Sequence, residues 1–319
     1  MKLTAHSSVR PALPRAVGNL GEQARVEFSE EGDWLALEAD GDIYKNGSYQ
    51  RKVSLPATID LNKAGDWLAV ESDGDLYRNG SYQRRLSDPT HVLLNDRGDW
   101  LAVQKNGDVF KNDVSQGRVQ EPTHVLMNDR GDWLVVEKDG DVYKNSSFQR
   151  KVNDPTHVRF NDRGDWMAME SDGDLYLNGS YQRRFNEPAF AELNDKGDWL
   201  VVERSGNVFK NGSYQRDLGE PVSARLNPKG DWMVVESDGD VYINGSYKLQ
   251  MDKPIHTDFN DEGDWLAVEK DGDLFLNGSY KQNMSNPLYA KLSNQGDWFV
   301  VEGDGDVFLN GIHQRRLDL

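Results

Sequence analysis

Acidic side chains at a fixed spacing are the first candidates for chemistry in this sequence. An Asp stands between Gly and Trp in every copy of a 33-residue pattern, as at Asp33 and Asp66. A carboxylate can act as a general base, but a catalytic site is normally single, whereas this Asp recurs nine times. A short acidic residue at the start of a strand usually accepts hydrogen bonds from turn amides. Because the sequence contains no nucleophile–base pair and no phosphate-binding loop, we predict that the protein is not an enzyme.

Pairs of Asp residues that flank a Gly form a second acidic pattern, illustrated by Asp73, Gly74 and Asp75. A calcium ion takes six to eight oxygen ligands, and two carboxylates in one tight turn do not supply them. The chain has no Cys, so it has no thiolate metal site. We therefore predict turns here, with no metal and no cofactor, and the alternative is weak calcium binding at the surface.

Tyr and Gln side chains recur in a third pattern, Asn-Gly-Ser-Tyr-Gln, which would offer an aromatic face beside an amide. Such a surface suits a carbohydrate or a peptide, and the alternative is that each Tyr covers the neighbouring repeat. The candidate ligand-binding residues are Tyr49, Gln50, Tyr82, Gln83, Tyr181, Gln182, Tyr214, Gln215, Tyr247 and Tyr280.

Every repeat also contains a Trp, and these nine are all the tryptophans of the chain. Each one opens an apolar run such as Trp67-Leu-Ala-Val, and a Trp can bury roughly 150–250 Å². We predict that they form a structural core, and the alternative is a ring of platforms for stacking sugars. They are Trp34, Trp67, Trp100, Trp133, Trp166, Trp199, Trp232, Trp265 and Trp298.

The elements that position these residues are short strands joined by tight turns. Asn79-Gly80 is a strong hairpin signal, because both residues tolerate the positive φ of a type I′ turn. Asp73-Gly74 closes the preceding hairpin in the same way. Four short β-rich segments joined by three such turns predict a four-stranded antiparallel meander in each 33-residue repeat.

A meander of this kind is a propeller blade. The motif resembles short, highly repetitive propeller repeats of the TolB or WD-like type, most clearly at 194–202 (NDKGDWLVV) and 171–176 (SDGDLY). Nine unbroken copies at a fixed period predict an all-β, nine-bladed β-propeller. The alternative is a β-solenoid, which has no use for an Asn-Gly hairpin in each repeat.

The first segment of each repeat varies at its middle position. If these side chains face the axis of a closed ring, they line a channel in which the charges nearly cancel. We favour a hydrated channel, and the alternative is specific axial binding. The predicted channel-lining residues are Glu27, Asp60, Leu93, Leu126, Arg159, Glu192, Arg225, Asp258 and Lys291.

The composition restricts the partners. The net charge is −17 and the pI about 4.8, and an acidic surface repels nucleic-acid backbones and anionic membranes. No apolar run has the length of a signal peptide or a membrane span. We therefore expect a soluble, cytoplasmic protein that binds neither nucleic acid nor membranes.

The chain divides into two parts in this interpretation. We predict that residues 22–319 form a single propeller domain of nine repeats. Residues 1–21 do not fit the repeat, and we predict that they form an extended N-terminal arm. No blade is split between the termini, so the ring would close by packing of the first blade on the last. The arm would contact either this seam or a partner.

The function most consistent with these patterns is non-catalytic, multivalent binding of a glycan or protein ligand through repeated surfaces. One alternative is a rigid structural subunit or scaffold of a larger assembly. Another is a consensus-like designed propeller that has no ligand.

Overall fold

A computed structural model describes residues 24–55 and 57–319, together with the backbone of Val9–Arg10, Leu13–Pro14 and Gly18–Asn19. Val9–Arg10 pairs with Leu13–Pro14, and Gly18–Asn19 pairs with the first strand of the propeller. Val9–Arg10 also lies against two later strands, Pro122–Met127 and Pro155–Phe160. The other residues of the predicted arm lie outside the described residues, and its contact with the seam or a partner stays a prediction.

The described chain forms nine consecutive antiparallel sheets, which we number as blades 1 to 9 in chain order. Each blade is a four-stranded meander, and Gly18–Asn19 adds a fifth strand to blade 1. The strands are called inner, second, third and outer in chain order. This confirms the predicted all-β, nine-bladed propeller, and no helix that could cross a membrane occurs among the described residues.

The inner strands carry the variable position of the repeat. They are Arg25–Phe28, Ala57–Leu61, Pro89–Leu94, Pro122–Met127, Pro155–Phe160, Pro188–Leu193, Pro221–Leu226, Pro254–Phe259 and Pro287–Leu292. The second strands begin at the repeated Trp. They are Trp34–Leu37, Trp67–Glu71, Trp100–Gln104, Trp133–Glu137, Trp166–Glu170, Trp199–Glu203, Trp232–Glu236, Trp265–Glu269 and Trp298–Glu302.

The third strands follow the Asp-Gly turn or its variants. They are Asp42–Lys45, Asp75–Arg78, Asp108–Lys111, Asp141–Lys144, Asp174–Leu177, Asn207–Lys210, Asp240–Ile243, Asp273–Leu276 and Asp306–Leu309. The outer strands follow the Asn-Gly turn or its variants. They are Ser48–Lys52, Ser81–Arg85, Val114–Arg118, Ser147–Lys151, Ser180–Arg184, Ser213–Asp217, Ser246–Gln250, Ser279–Asn283 and Ile312–Arg316.

The turn chemistry of the sequence accounts for the hairpin between the third and outer strands. Asn79 and Gly80 have φ values of 48° and 79°, as a type I′ turn requires. The side chain of Asn79 then accepts the backbone N–H of Trp67 at 2.9 Å. One residue therefore shapes the outer hairpin and anchors the start of the second strand.

The hydrophobic core lies between blades. Every second strand is buried along its whole length, because each face of a blade packs on a different neighbour, and all nine Trp side chains are at most 6% exposed. Trp100 of blade 3, for example, packs with Leu68 and Val70 of blade 2. The Trp residues therefore occupy the inter-blade core rather than a sugar-stacking surface.

The ring closes by packing of blade 1 on blade 9. The rings of Phe28 and Phe299 stack with their centroids 4.9 Å apart, inside a buried cluster that both blades supply. The backbone N–H of Asn294 donates to the carbonyl of Glu30 at 2.7 Å. Closure therefore rests on the same kind of apolar interface as the other blade contacts.

Candidate functional site

The outer strands present an aromatic side chain to solvent in seven blades. The predicted Tyr residues are 54–56% exposed, and Phe148 takes the same position in blade 4. Each ring packs edge-on against the third-strand aromatic of its own blade, with centroids 5.6–5.8 Å apart, as for Tyr77 and Tyr82. The alternative, in which each Tyr covers the next blade, is not the arrangement found.

Four of the Tyr residues are followed by a Gln that its own strand holds, whereas Tyr247 and Tyr280 are followed by Lys. The Nε2 of Gln83 donates to the carbonyl of Ser81 at 3.0 Å, and Gln50, Gln182 and Gln215 make the equivalent bond. This contact aligns the amide with the exposed strand. Tyr and Gln therefore form a repeated, ordered surface at the outer rim of the ring.

An arginine contact connects neighbouring blades behind this surface. The Cζ of Arg51 in blade 1 lies 3.5 Å from the ring centroid of Tyr77 in blade 2, and its Nη1 donates to the carbonyl of Gly80 at 2.7 Å. The same cation–π contact joins six pairs of consecutive blades. The arginines are Arg51, Arg84, Arg150, Arg183, Arg216 and Arg315.

Sequence reasoning missed these arginines. The only signal was an Arg two residues after the outer-strand Tyr in most repeats, as at Tyr82 and Arg84. The partner ring lies in the next blade, 26 residues further along the chain for Arg51 and Tyr77, so the pairing needs the packing of two blades.

The residues predicted to line the channel face a neighbouring blade instead. Leu93 lies in the core between blades 3 and 4. Arg159 donates from Nη2 to Oε1 of Glu192 at 3.0 Å, across the junction of blades 5 and 6. Asp258 accepts the N–H of Leu292 in the next blade at 2.9 Å.

All nine positions share this strand face. They are Glu27, Asp60, Leu93, Leu126, Arg159, Glu192, Arg225, Asp258 and Lys291, and each pairs in register with the second-strand residue directly after the Trp. Side chains alternate between the two faces of a strand, and both faces of a blade face other blades. The variation at this position therefore adjusts blade packing.

The Asp of Gly-Asp-Trp accepts hydrogen bonds from side chains of its own blade. Asp66 accepts Nδ2 of Asn79 at 2.6 Å and Nη2 of Arg78 at 2.8 Å. Burial raises the pKa of Asp66, but these hydrogen bonds and the positive charges outweigh it, so the pKa lies below its ordinary value. The carboxylate is thus a hydrogen-bonded anion, and its acceptor role is satisfied mainly by side chains rather than by the expected turn amides.

A third carboxylate joins the Asp pairs of the Asp-Gly-Asp turns. In blade 2 the carboxylates of Glu71, Asp73 and Asp75 come within 4.8 Å of one another. The alternation Glu-x-Asp-Gly-Asp is the signal in the sequence that could have predicted this third carboxylate. Arg85 of the outer strand pairs with Asp73. In blade 1, Lys52 pairs with both carboxylates of the turn, Asp40 and Asp42. In these described triads, Lys or Arg side chains of the outer strand balance part of the negative charge. The carboxylates alone therefore do not identify a metal site.

Comparisons with known proteins give structural similarity only. The computationally designed Ika8 protein is 14% identical and aligns over 76% of this chain and 92% of its own, with a TM-score of 0.48. The β-propeller domain of Cps50 (Swd1) from Myceliophteria thermophila is 11% identical over 69% of this chain and 94% of its own, with a TM-score of 0.42. Hsv2 from Kluyvelomyces marxianus is 13% identical over 79% and 90%, with a TM-score of 0.43. No family model and no curated protein sequence matches the chain.

Proposed function

We propose that this propeller is a non-catalytic, multivalent binding protein whose outer rim engages a repetitive glycan or protein ligand. The observation that carries the proposal is the exposed aromatic ring that seven blades present in the same geometry. A rigid ring with many equivalent sites suits a ligand that itself repeats, such as a polysaccharide or a protein array.

The chemistry of one site supports weak binding. A contact between two aromatic rings contributes about 0.5–1.5 kcal/mol beyond its buried area, and one exposed ring is expected to contribute no more. The Gln that follows four of the Tyr residues can add a hydrogen bond. One site of this kind is weak, but linked sites can raise the overall avidity by about 10²–10⁴. The proposal therefore depends on several blades acting together.

The test is a graded removal of the rim tyrosines. The full chain is applied to an array of glycans and repetitive polypeptides, beside Tyr214→Ala and the triple variant Tyr181→Ala, Tyr214→Ala, Tyr247→Ala. We expect a modest loss for the single variant and a loss of about tenfold or more for the triple variant.

The matched control is Ser115→Ala, because blade 3 has Ser at the position that Tyr occupies elsewhere. We expect this variant to bind as the unsubstituted chain does. The proposal fails if no arrayed ligand binds, or if the triple variant binds as tightly as the control.

A further inference from the structure

The junction between blades 3 and 4 contains a cavity where other junctions hold an arginine. The cavity has a volume of about 280 Å³, and its lining includes Gly117, Trp133, Glu137, Tyr143 and Ser146. Arg118 also lines it, and the Nε of Arg118 donates to Oδ1 of Asp108 at 3.0 Å, so its charge is paired within blade 3. Gly117 stands at the outer-strand position that is Arg in six of the nine blades. Its lack of a side chain leaves the space unfilled.

The occupied junctions show what this space accepts. At the seam, the Cζ of Arg315 lies 3.4 Å from the ring centroid of Tyr44, and its Nη2 donates to Oε1 of Glu38 at 2.7 Å. At the junction of blades 1 and 2, Arg51 also donates to the carbonyl of Gly80. In both junctions the guanidinium lies over an aromatic ring, and it donates to a carboxylate at the seam and to a backbone carbonyl at the junction of blades 1 and 2.

The junction of blades 3 and 4 keeps the residues that supply all three groups. Tyr143, Glu137 and Ser146 are the repeat equivalents of Tyr44, Glu38 and the turn Gly. Glu137 is only 8% exposed and accepts the N–H of Gln120 through Oε1 at 2.6 Å. Burial, followed by the charge of Glu137, raises the pKa of Tyr143, so the ring and the carboxylate lie close enough to interact.

Two other junctions lack the arginine but fill its place. Leu249 packs with Phe275 in the core of blades 7 and 8. Gln282 extends its amide, which lies 2.9 Å from Sδ of Met284 and close to Gly311. Gly117 differs from both, because it has no side chain with which to occupy the equivalent space.

We propose that this cavity binds the guanidinium group of an arginine side chain presented by a partner polypeptide. A guanidinium is planar and can stack on the Tyr143 ring while it donates to Glu137 and to the Ser146 carbonyl, whereas an ammonium cannot stack in this way. The net charge of −17 attracts a basic partner. The site occurs once, at the Gly that replaces the repeated Arg, so binding there can be measured separately from binding at the repeated rim surface.

The first experiment titrates the full chain with N-acetyl-arginine amide, its citrulline counterpart and an arginine-containing peptide. The amide NMR signals of Gly117 and Ser146 report binding at the site, and the total Trp fluorescence, to which Trp133 contributes, follows the titration. We expect saturable 1:1 binding of the arginine derivative, weaker binding of the uncharged citrulline by about tenfold or more, and tighter binding of the peptide. Equal binding of arginine and citrulline, or no saturable binding, would overturn the site. A peptide no tighter than the free derivative would overturn the polypeptide partner.

Variants separate the site from general effects on folding. Gly117→Arg fills the cavity and Gly117→Ala leaves it open, and both carry the same backbone strain because Gly117 has a φ of 112°. We expect Gly117→Ala to bind arginine and Gly117→Arg not to bind it. Glu137→Gln should weaken binding by about tenfold. Undiminished binding by Gly117→Arg would contradict the proposal.

A gain-of-site variant completes the test. Arg150 covers Tyr176 at the next junction and donates to Gly179, so Arg150→Gly opens an equivalent space beside Glu170. We expect this variant to bind two arginine derivatives per chain instead of one. If the variant folds but still binds one arginine derivative per chain, the aromatic ring, the carboxylate and the turn carbonyl are not sufficient for binding.

Discussion

Most blades bury one Glu side chain at the end of the second strand, and burial disfavours the charged form of its carboxyl group. Glu236 ends the second strand of blade 7 and is 6% exposed, and its Oε1 accepts the N–H of Gly219 at 2.6 Å. Burial, followed by the charges of Asp238 and Asp240, raises its pKa despite that hydrogen bond. In blade 3, Gln104 takes the same position, so the fold accepts a neutral side chain there.

The first prediction follows from this raised pKa. The folded state disfavours the charged form, so Glu236 lowers stability as the pH rises from its ordinary pKa of 4.5 through its higher folded value. We expect Glu236→Gln to have a higher Tm than the unsubstituted chain at pH 7, with the difference shrinking at pH 4. Thermal unfolding at both pH values measures it, with the exposed Glu187→Gln as control. A difference that grows toward acid pH would contradict the sign.

At the scale of the element, the two glycine turns of each blade are not equivalent. Gly74 has a φ of 93°, and a Cβ there would overlap the carbonyl oxygen of Leu86. Gly80 has a φ of 79°, but a Cβ there would lie 3.8 Å from the Trp67 ring, at ordinary contact. Blade 4 has Ser146 at the second position with a φ of 65°. The chain itself thus shows which glycine is replaceable.

The second prediction compares these two turns. We expect Gly80→Ala to lower the free energy of unfolding by about 1 kcal/mol, because the cost is mainly the positive φ. Gly74→Ala should cost roughly 2–4 kcal/mol, because backbone must also move. Urea unfolding measures both. Equal losses would mean that the turn around Gly74 relaxes without breaking its contact with Leu86.

The hairpins were predictable because their signals are local. Asn-Gly and Asp-Gly specify a turn within four residues, and the neighbouring apolar runs specify strands. The contact of Arg51 with Tyr77 had no such signal, because it depends on how far one blade is rotated against the next. The candidate rim surface was therefore predictable by residue type, but its exposure and edge-on packing were not.

For the whole molecule, the seam is the interface that no covalent link between blades crosses, because blades 1 and 9 are the first and last. Phe299 is fully buried there against Phe28 and Trp34. Leu101 holds the same repeat position and is equally buried in the core of blades 3 and 4. The two residues form a matched pair for asking whether the ring opens at the seam.

The third prediction uses this pair. We expect Phe299→Ala to lower the free energy of unfolding by roughly 3–5 kcal/mol and Leu101→Ala by roughly 2–5 kcal/mol. Hydrogen exchange should then rise in blades 1 and 9 for the first variant, since local opening there breaks no covalent link. For Leu101→Ala we expect a smaller rise, confined to blades 3 and 4. Uniform exchange changes in both variants would mean that the ring unfolds as one unit.

The sequence by itself determined the number of blades, the four-strand meander and the burial of the tryptophans. These follow from a period, from turn residues and from apolar runs, all of which act within one repeat. The tertiary structure decided the direction of the inner-strand side chains, such as Leu93 and Arg159, which pack on the next blade and do not line a channel.

The tertiary structure also decided which carboxylates and rings of the Glu-x-Asp-Gly-Asp and Tyr patterns meet, and where one arginine is missing. Gly117 is an ordinary glycine in the sequence, and it matters only because Tyr143 and Glu137 of the next blade lie opposite it. The physical reason is the same in each case. Contacts between blades depend on the relative placement of two rigid sheets, which no local pattern within a repeat encodes.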